Sequence, residues 1–238
     1  VAGGTSGHLT GAVLAAVLLG PSAGIVVISA VLIVQCLMFA DGGLSALGAN
    51  IFNMAVIGGV GGGASYHGVH RSVKGLFGRV LGAAFAAWCG TVLAAVACAG
   101  ELAASRTIGW SVVLPTMAGI HMVIGIGEAL ITALVLAAIA RTRPELLEPD
   151  RAPEASQPYG TVVAYGVLLA IGLAMFASPL ASTWPDGLDK TAEVLGFKEK
   201  AAEPMVPSPI PEYVMPGVRW SALGTAIDNG FKLYVQQQ

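Results

Sequence analysis

Four polar features stand out from an apolar sequence, and the first is a histidine in a glycine-rich segment. His8 lies within residues 3–9 (GGTSGHL), where glycine lets the backbone approach a ligand closely. Histidine is the commonest metal ligand near neutral pH, and imidazole suits Ni, Cu and Zn. This pattern indicates either a metal ligand or an incidental imidazole beside a helix start that Thr5 or Ser6 would cap.

The second feature is a pair of ionisable residues, His121 and Glu128, within a long apolar run. A spacing of seven places them on one face of a helix, about 10.5 Å apart, too far for a direct hydrogen bond. An ionisable side chain inside an apolar span is costly and by default marks a functional site. Each must therefore pair with another helix, water or a cargo. A structural role, as polar residues that hold a bundle together, is equally open.

The third and fourth polar features are pairs of closely spaced residues. Asn50 and Asn53, at i and i+3 beside Met54, can hydrogen-bond across helices or orient a ligand histidine. His67 and His70 have a spacing compatible with a metal, but their basic surroundings favour a solvated pair.

The sequence gives little support to nucleotide binding, hydrolysis or nucleic-acid binding. The sequence contains no GxxxxGK[ST], no HExxH and no GxGxxG followed by a ribose-binding acid. A membrane hydrolase using His121 and Glu128 is a third option, but no nucleophile can be identified for it. The net charge of −2 and the lack of a basic stripe argue against nucleic-acid binding. We therefore predict a protein that is not an enzyme and does not hydrolyse ATP itself.

The elements that must position these residues are membrane-spanning helices. Only 11% of the 238 residues are charged, whereas soluble domains have about 25%. An uncharged apolar run of about 18 residues or more is a candidate transmembrane helix. Four runs lack Asp, Glu, Lys and Arg, namely residues 1–40, 42–70, 80–100 and 155–185. The sequence predicts an all-α, polytopic transmembrane helical bundle within a lipid bilayer.

Turn residues divide the runs into about six spans and a tail. The expected spans cover residues 6–20, 22–40, 47–66, 80–100, 113–140 and 159–178, and the first is short. Glycines cluster in the third span, where they would let helices approach closely. Residues 1–178 are predicted to form the bundle. Residues 179–238 form a mostly irregular, proline-rich tail with one amphipathic stretch at 186–197.

Basic residues predict the orientation. One set of alternate loops holds six of them, and the opposite short loops hold only Arg106. Cytoplasmic loops carry the excess of Lys and Arg. We therefore expect His8 and the tail to lie outside the cytoplasm. The six are Arg71, Lys74, Arg79, Arg141, Arg143 and Arg151.

Several long motifs resemble the CbiM/NikM family, the substrate-binding membrane components of energy-coupling-factor transporters for cobalt and nickel. The tail resembles the PDGLE-type segment of the accessory CbiN/NikN subunits, which is often fused to the same chain. The motifs are GGTSGHL at 3–9, FADGGLSALGANIFN at 39–53 with Met54, HMVIGIGEALIT at 121–132 and WPDGLDKTAEVLGF at 184–197.

The resemblance implies that the bundle, in the inner (cell) membrane, binds Co(II) or Ni(II) near its outer face, as transported substrate and not as a cofactor. Its partners would be a transmembrane coupling protein and cytoplasmic ATPase subunits. In the family, a Met-His start supplies its terminal amine, backbone and side chain to the metal, and the histidine that matches His8 completes the set. Supporting roles around the metal would fall to Asn50, Asn53, His121 and Glu128.

One departure from the family concerns the first residues. The chain begins at Val1, inside the approach to the GGTSGHL motif, without a Met-His start. The sequence therefore predicts a fragment that binds metal more weakly than a complete homologue. It also leaves open an accessory or interaction subunit with a non-functional metal site. Nickel and cobalt are not separated, because the same nitrogen ligands serve both.

Overall fold

The protein is described by a computed structural model over residues 10–41, 43–73, 75–142, 144–147, 164, 168, 187–197 and 207–209. Among these residues the ordered elements are all helical, and no strand occurs. The all-α prediction is confirmed.

Four helices are long and apolar enough to cross a membrane, and they match predicted spans two to five. Short connections join them, so sequence neighbours run antiparallel. The polytopic membrane bundle is confirmed, with helices that extend a few residues beyond most of the expected bounds. The four are α2 (Pro21–Phe39), α3 (Gly43–Ser72), α4 (Gly75–Ala104) and α5 (Trp110–Thr142).

The expected first span is instead a short helix, α1 (Ala12–Leu19). Its eight residues extend about 12 Å, whereas the hydrocarbon core is about 30 Å thick. The prediction of a span over 6–20 is therefore wrong for this segment. The break predicted after it is present, since Gly20 has a φ of 84° and Pro21 begins α2. The predicted sixth span, 159–178, lies outside the described residues apart from two positions.

Glycines bring α1, α3 and α4 into close contact. A Cβ added at Gly90 would lie only 2.7 Å from the Gly58 carbonyl oxygen. A Cβ at Gly62 would lie 3.0 Å from the Ala86 carbonyl oxygen and would collide with the Val13 side chain. The close helix approach expected from the glycine cluster is observed, and it buries one face of α1 against α3 and α4.

The middle of α3 is a π-helical segment, Ile51–Gly58. It contains Asn53 and Met54, both buried, and it begins directly after Asn50. π-Helical turns are rare and occur frequently at functional sites.

Large apolar side chains cover the outer surface of the bundle. Exposure on this scale is unusual for a soluble monomer but suits contact with lipid acyl chains. The most exposed on α2 and α5 include Val26 at 68%, Val123 at 69%, Ile126 at 63% and Leu134 at 61%.

The amphipathic stretch of the tail forms a helix, α6 (Gly187–Leu195), as predicted. It packs against α5 at the end of the bundle where α4 connects to α5. Its Ala192 and the following Phe197 are almost fully buried. They join one apolar cluster with Ala95, Cys98, Ala99, Leu102, Val113 and Met117.

Candidate functional site

A cavity lies between α1, the π-helical segment of α3, α4 and α5, and we call it the central cavity. Its volume is about 40 Å³, enough for a few water molecules. It brings together four of the five predicted site residues, Asn50, Asn53, His121 and Glu128. The fifth, His8, lies outside the described residues. The other lining residues include Thr10, Met54, Thr91, Cys98 and Met117.

Glu128 holds the start of α1. One carboxylate oxygen accepts the Gly11 N–H at 2.7 Å, and the other accepts the Thr10 N–H at 3.0 Å. The Thr10 hydroxyl adds a longer contact at 3.4 Å and also accepts the Ala12 N–H at 3.2 Å. The first N–H groups of a helix have no partner within the helix, and the helix dipole favours an anion there. Of the partners that the sequence leaves open for Glu128, namely another helix, water or a cargo, the structure shows the backbone that leads into α1.

This arrangement gives Glu128 a structural role, because both of its oxygens accept backbone N–H groups next to α1. It adds no support for the hydrolase interpretation, which needs a carboxylate placed to take a proton from a substrate or water.

A backbone carbonyl determines which ring nitrogen of His121 carries a proton. Its Nδ1 lies 2.8 Å from the Met117 carbonyl oxygen, which can only accept, so Nδ1 carries the proton. In the neutral ring the lone pair is then on Nε2. Metal-binding histidines use this same pattern, in which one ring nitrogen donates to a carbonyl and so fixes the other as the basic atom.

Asn53 crosses from α3 to α4. Its Nδ2 donates to Glu101 Oε2 at 2.8 Å, which is one of the two roles that the sequence leaves open for the asparagine pair. Its Oδ1 is buried and has no hydrogen-bond partner in the described part of the chain. Asn50 is likewise buried, with 4% exposure, and lines the same cavity.

Glu101 is the site-related residue that the sequence did not single out. It occupies the last turn of α4, where an acid next to a loop resembles an ordinary solvated charge. A signal was present, because it is the first charged residue after the uncharged run 80–100.

Two further observations on the described residues concern metal binding. No three His, Cys, Asp or Glu side chains within them are grouped so as to hold a metal ion. His67 and His70 lie beside Tyr66 near the end of α3, with the His70 ring stacked on Tyr66 at 5.6 Å, and neither lines the central cavity.

Comparison with known families gives two matches. The model of the cobalt uptake substrate-specific transmembrane region, CbiM, matches residues 1–146. The PDGLE domain model matches residues 160–226, which include α6.

Similar curated proteins are transport proteins. A putative fused nickel transport protein NikMN of Archaeoglobus fulgidus is 36% identical over 220 residues, 92% of this chain and 70% of that protein. The fused nickel transport protein NikMN of Rhodobacter capsulatus is 38% identical, covering 73% of this chain and 55% of that protein. The cobalt transport protein CbiM of Geobacter sulfurreducens is 28% identical, covering 86% and 62%. The chain thus spans between 55% and 70% of the length of these relatives.

One solved structure, a crystal structure of a truncated transition metal transporter, agrees in fold. It has a TM-score of 0.53 and 33% sequence identity, over 59% of this chain and 71% of that chain. With this agreement, and with a family model that matches more than half of its residues, the chain belongs to the CbiM family of cobalt uptake substrate-specific transmembrane proteins and carries a C-terminal PDGLE domain of the kind fused in NikMN.

Proposed function

We propose that the chain is the substrate-binding membrane component of an ATP-driven energy-coupling-factor importer for Co(II) or Ni(II). Family membership supports metal transport. The observation that carries the proposal is the central cavity, which gathers His121, Asn50, Asn53 and Glu128 next to Thr10. Thr10 follows His8 by two residues, a length of backbone that spans at most about 7 Å.

In this proposal His8 is the ligand and the cavity residues support it. Glu128 anchors residues 10 and 11, and thereby the chain next to His8. His121, Asn50 and Asn53 supply oriented polar groups around the ion. Nitrogen ligands of this kind suit Ni(II) and Co(II), and groups around the ligands commonly tune metal affinity.

The basic residues of alternate loops support a cell-membrane orientation in which the α4–α5 connection, His8 and the tail face outward. A transmembrane coupling protein and cytoplasmic ATPases would then act from the opposite side and supply the energy for import. The sequence itself has no phosphate-binding loop.

Calorimetric titration of the purified chain in detergent with Ni(II) and Co(II) tests the ligand assignment. We expect binding that His8→Ala abolishes and that a matched His67→Ala variant retains, because His67 does not line the cavity. Binding that is insensitive to His8→Ala would overturn the assignment.

Transport itself is tested by metal uptake in cells that also express a coupling protein and ATPases. The expected result is nickel or cobalt accumulation that needs both active ATPases and His8. Accumulation without active ATPases would overturn the ATP-driven part of the proposal.

An accessory or interaction subunit is the second candidate. The observation in its favour is the tail helix, which packs Phe197 and Ala192 against the bundle and lies within the segment that matches the PDGLE domain model. For that function, uptake by the complex would need the chain but would survive His8→Ala. The proposed function predicts that His8→Ala abolishes uptake.

A further inference from the structure

We propose that Glu101 is a positioning residue for the transported cation. By accepting the Asn53 Nδ2–H group, it sets the orientation of the amide so that the oxygen, and not the NH₂ group, remains for a cation or its bound water. This inference deepens the proposed function and rests on it.

The geometry that supports this role is a single short hydrogen bond. Asn53 Nδ2 lies 2.8 Å from Glu101 Oε2. An ionised carboxylate accepts but cannot donate, so the amide must turn its nitrogen towards Glu101. The amide oxygen of Asn53 then makes no contact with Glu101. Glu101 is absent from the cavity lining whereas Asn53 belongs to it, so Glu101 acts through the amide.

The oxygen that remains is an acceptor without a partner. Asn53 is only 4% exposed, and its Oδ1 accepts no hydrogen bond from the described residues. A buried acceptor without a partner is unfavourable. A divalent cation, or a water bound to one, would supply the missing positive partner. In the reverse orientation the amide would offer two N–H groups, which repel a cation.

Glu101→Gln tests this idea with a side chain of nearly the same shape. Glutamine can keep one hydrogen bond to Asn53 in either amide orientation, so thermal stability in detergent should change little. Because the orientation is no longer imposed, Ni(II) affinity should fall about tenfold, at the lower end of the usual effect of such partners. Glu193→Gln, which removes one charge from the exposed face of α6, is the matched control and should leave affinity unchanged.

A double-mutant cycle with Asn53→Ala separates amide orientation from simple charge. If Glu101 acts through Asn53, adding Glu101→Gln to Asn53→Ala costs no further affinity. An equal loss in both backgrounds would overturn the inference. Should Asn53→Ala not fold, Glu101→Asp replaces it. This variant keeps a carboxylate and should retain more affinity than Glu101→Gln, and the reverse order would overturn the inference.

The wild-type titration distinguishes failure of the proposed function from failure of the role of Glu101. If wild type shows no His8-dependent binding, the proposed function fails and this inference fails with it. If binding depends on His8 but Glu101→Gln leaves the Kd unchanged, only the role of Glu101 is overturned.

Discussion

The Glu128 carboxylate accepts the backbone N–H of Gly11 at 2.7 Å, although the two residues are 117 positions apart. The bond ties the middle of a membrane-crossing helix to the start of a short helix that buries one face against the bundle. It places a fixed acidic group beside the chain that leads back to His8, so the anchor is also a candidate determinant of metal affinity.

Glu128→Gln should weaken this anchor. Glutamine has one acceptor oxygen, so its NH₂ group would face either the Thr10 or the Gly11 N–H, and one backbone donor would lose its partner. We expect a loss of about 1–3 kcal/mol in stability and about 10- to 100-fold in Ni(II) affinity. Thermal unfolding in detergent measures the loss of stability, and calorimetry measures the loss of Ni(II) affinity. An unchanged melting temperature together with an unchanged Kd would contradict the anchoring role, and Glu193→Gln serves as the control.

His121→Asn should separate ring orientation from metal support. Asparagine keeps an N–H that can donate to the Met117 carbonyl but removes the distal ring nitrogen. Ni(II) affinity should fall about 10- to 100-fold, with little change in melting temperature. The matched control is Thr116→Val, on the exposed side of the same helix, which removes the hydroxyl that donates to the Val112 carbonyl at 2.8 Å. Equal affinity losses in both variants would argue against a specific role for His121.

Gly90→Ala should push α4 away from α3 and α1, because its Cβ would lie 2.7 Å from the Gly58 carbonyl oxygen and 2.8 Å from the Val13 side chain. Overpacking of this kind costs about 1–3 kcal/mol, which thermal unfolding in detergent would detect. Gly63→Ala is the matched control, because a Cβ there meets nothing within 4 Å. If both variants melted at the same temperature as wild type, the close packing would not contribute to stability.

Phe197→Ala should release the tail helix from the bundle. Phe197 is 1% exposed and belongs to the same cluster as Met117 and Cys98, which also line the central cavity. Core Phe→Ala changes cost about 3–5 kcal/mol, so α6 should detach before the bundle unfolds. Limited trypsin digestion at Lys190 should accelerate several-fold, and Ni(II) affinity should decrease. Val194→Ala, at a side chain 61% exposed, is the control. Unchanged digestion would show that Phe197 does not hold the tail.

The four long helices could be predicted from the chain alone because lipid excludes charge and turn residues interrupt the apolar runs. Gly20 and Pro21 therefore mark the end of α1 and the start of α2 correctly, and α2 ends at Phe39, next to the predicted end at residue 40. The chain alone does not separate a span over 6–20 from a short helix packed on the bundle, because an apolar composition is equally suited to lipid and to the interior of a bundle. Burial of Val13 against Gly62 and Gly90 resolves that ambiguity.

The candidate site shows the same division between what the sequence predicts and what helix packing decides. Local sequence identified Asn50, Asn53, His121 and Glu128, since polar residues are conspicuous in an apolar run. Their partners depend on contacts between residues far apart in the chain. Asn53 meets Glu101 across 48 positions, Glu128 meets Gly11 across 117, and the tail helix packs against Met117. Local composition and periodicity describe which residues must be buried, whereas the packing of helices determines what each buried group touches.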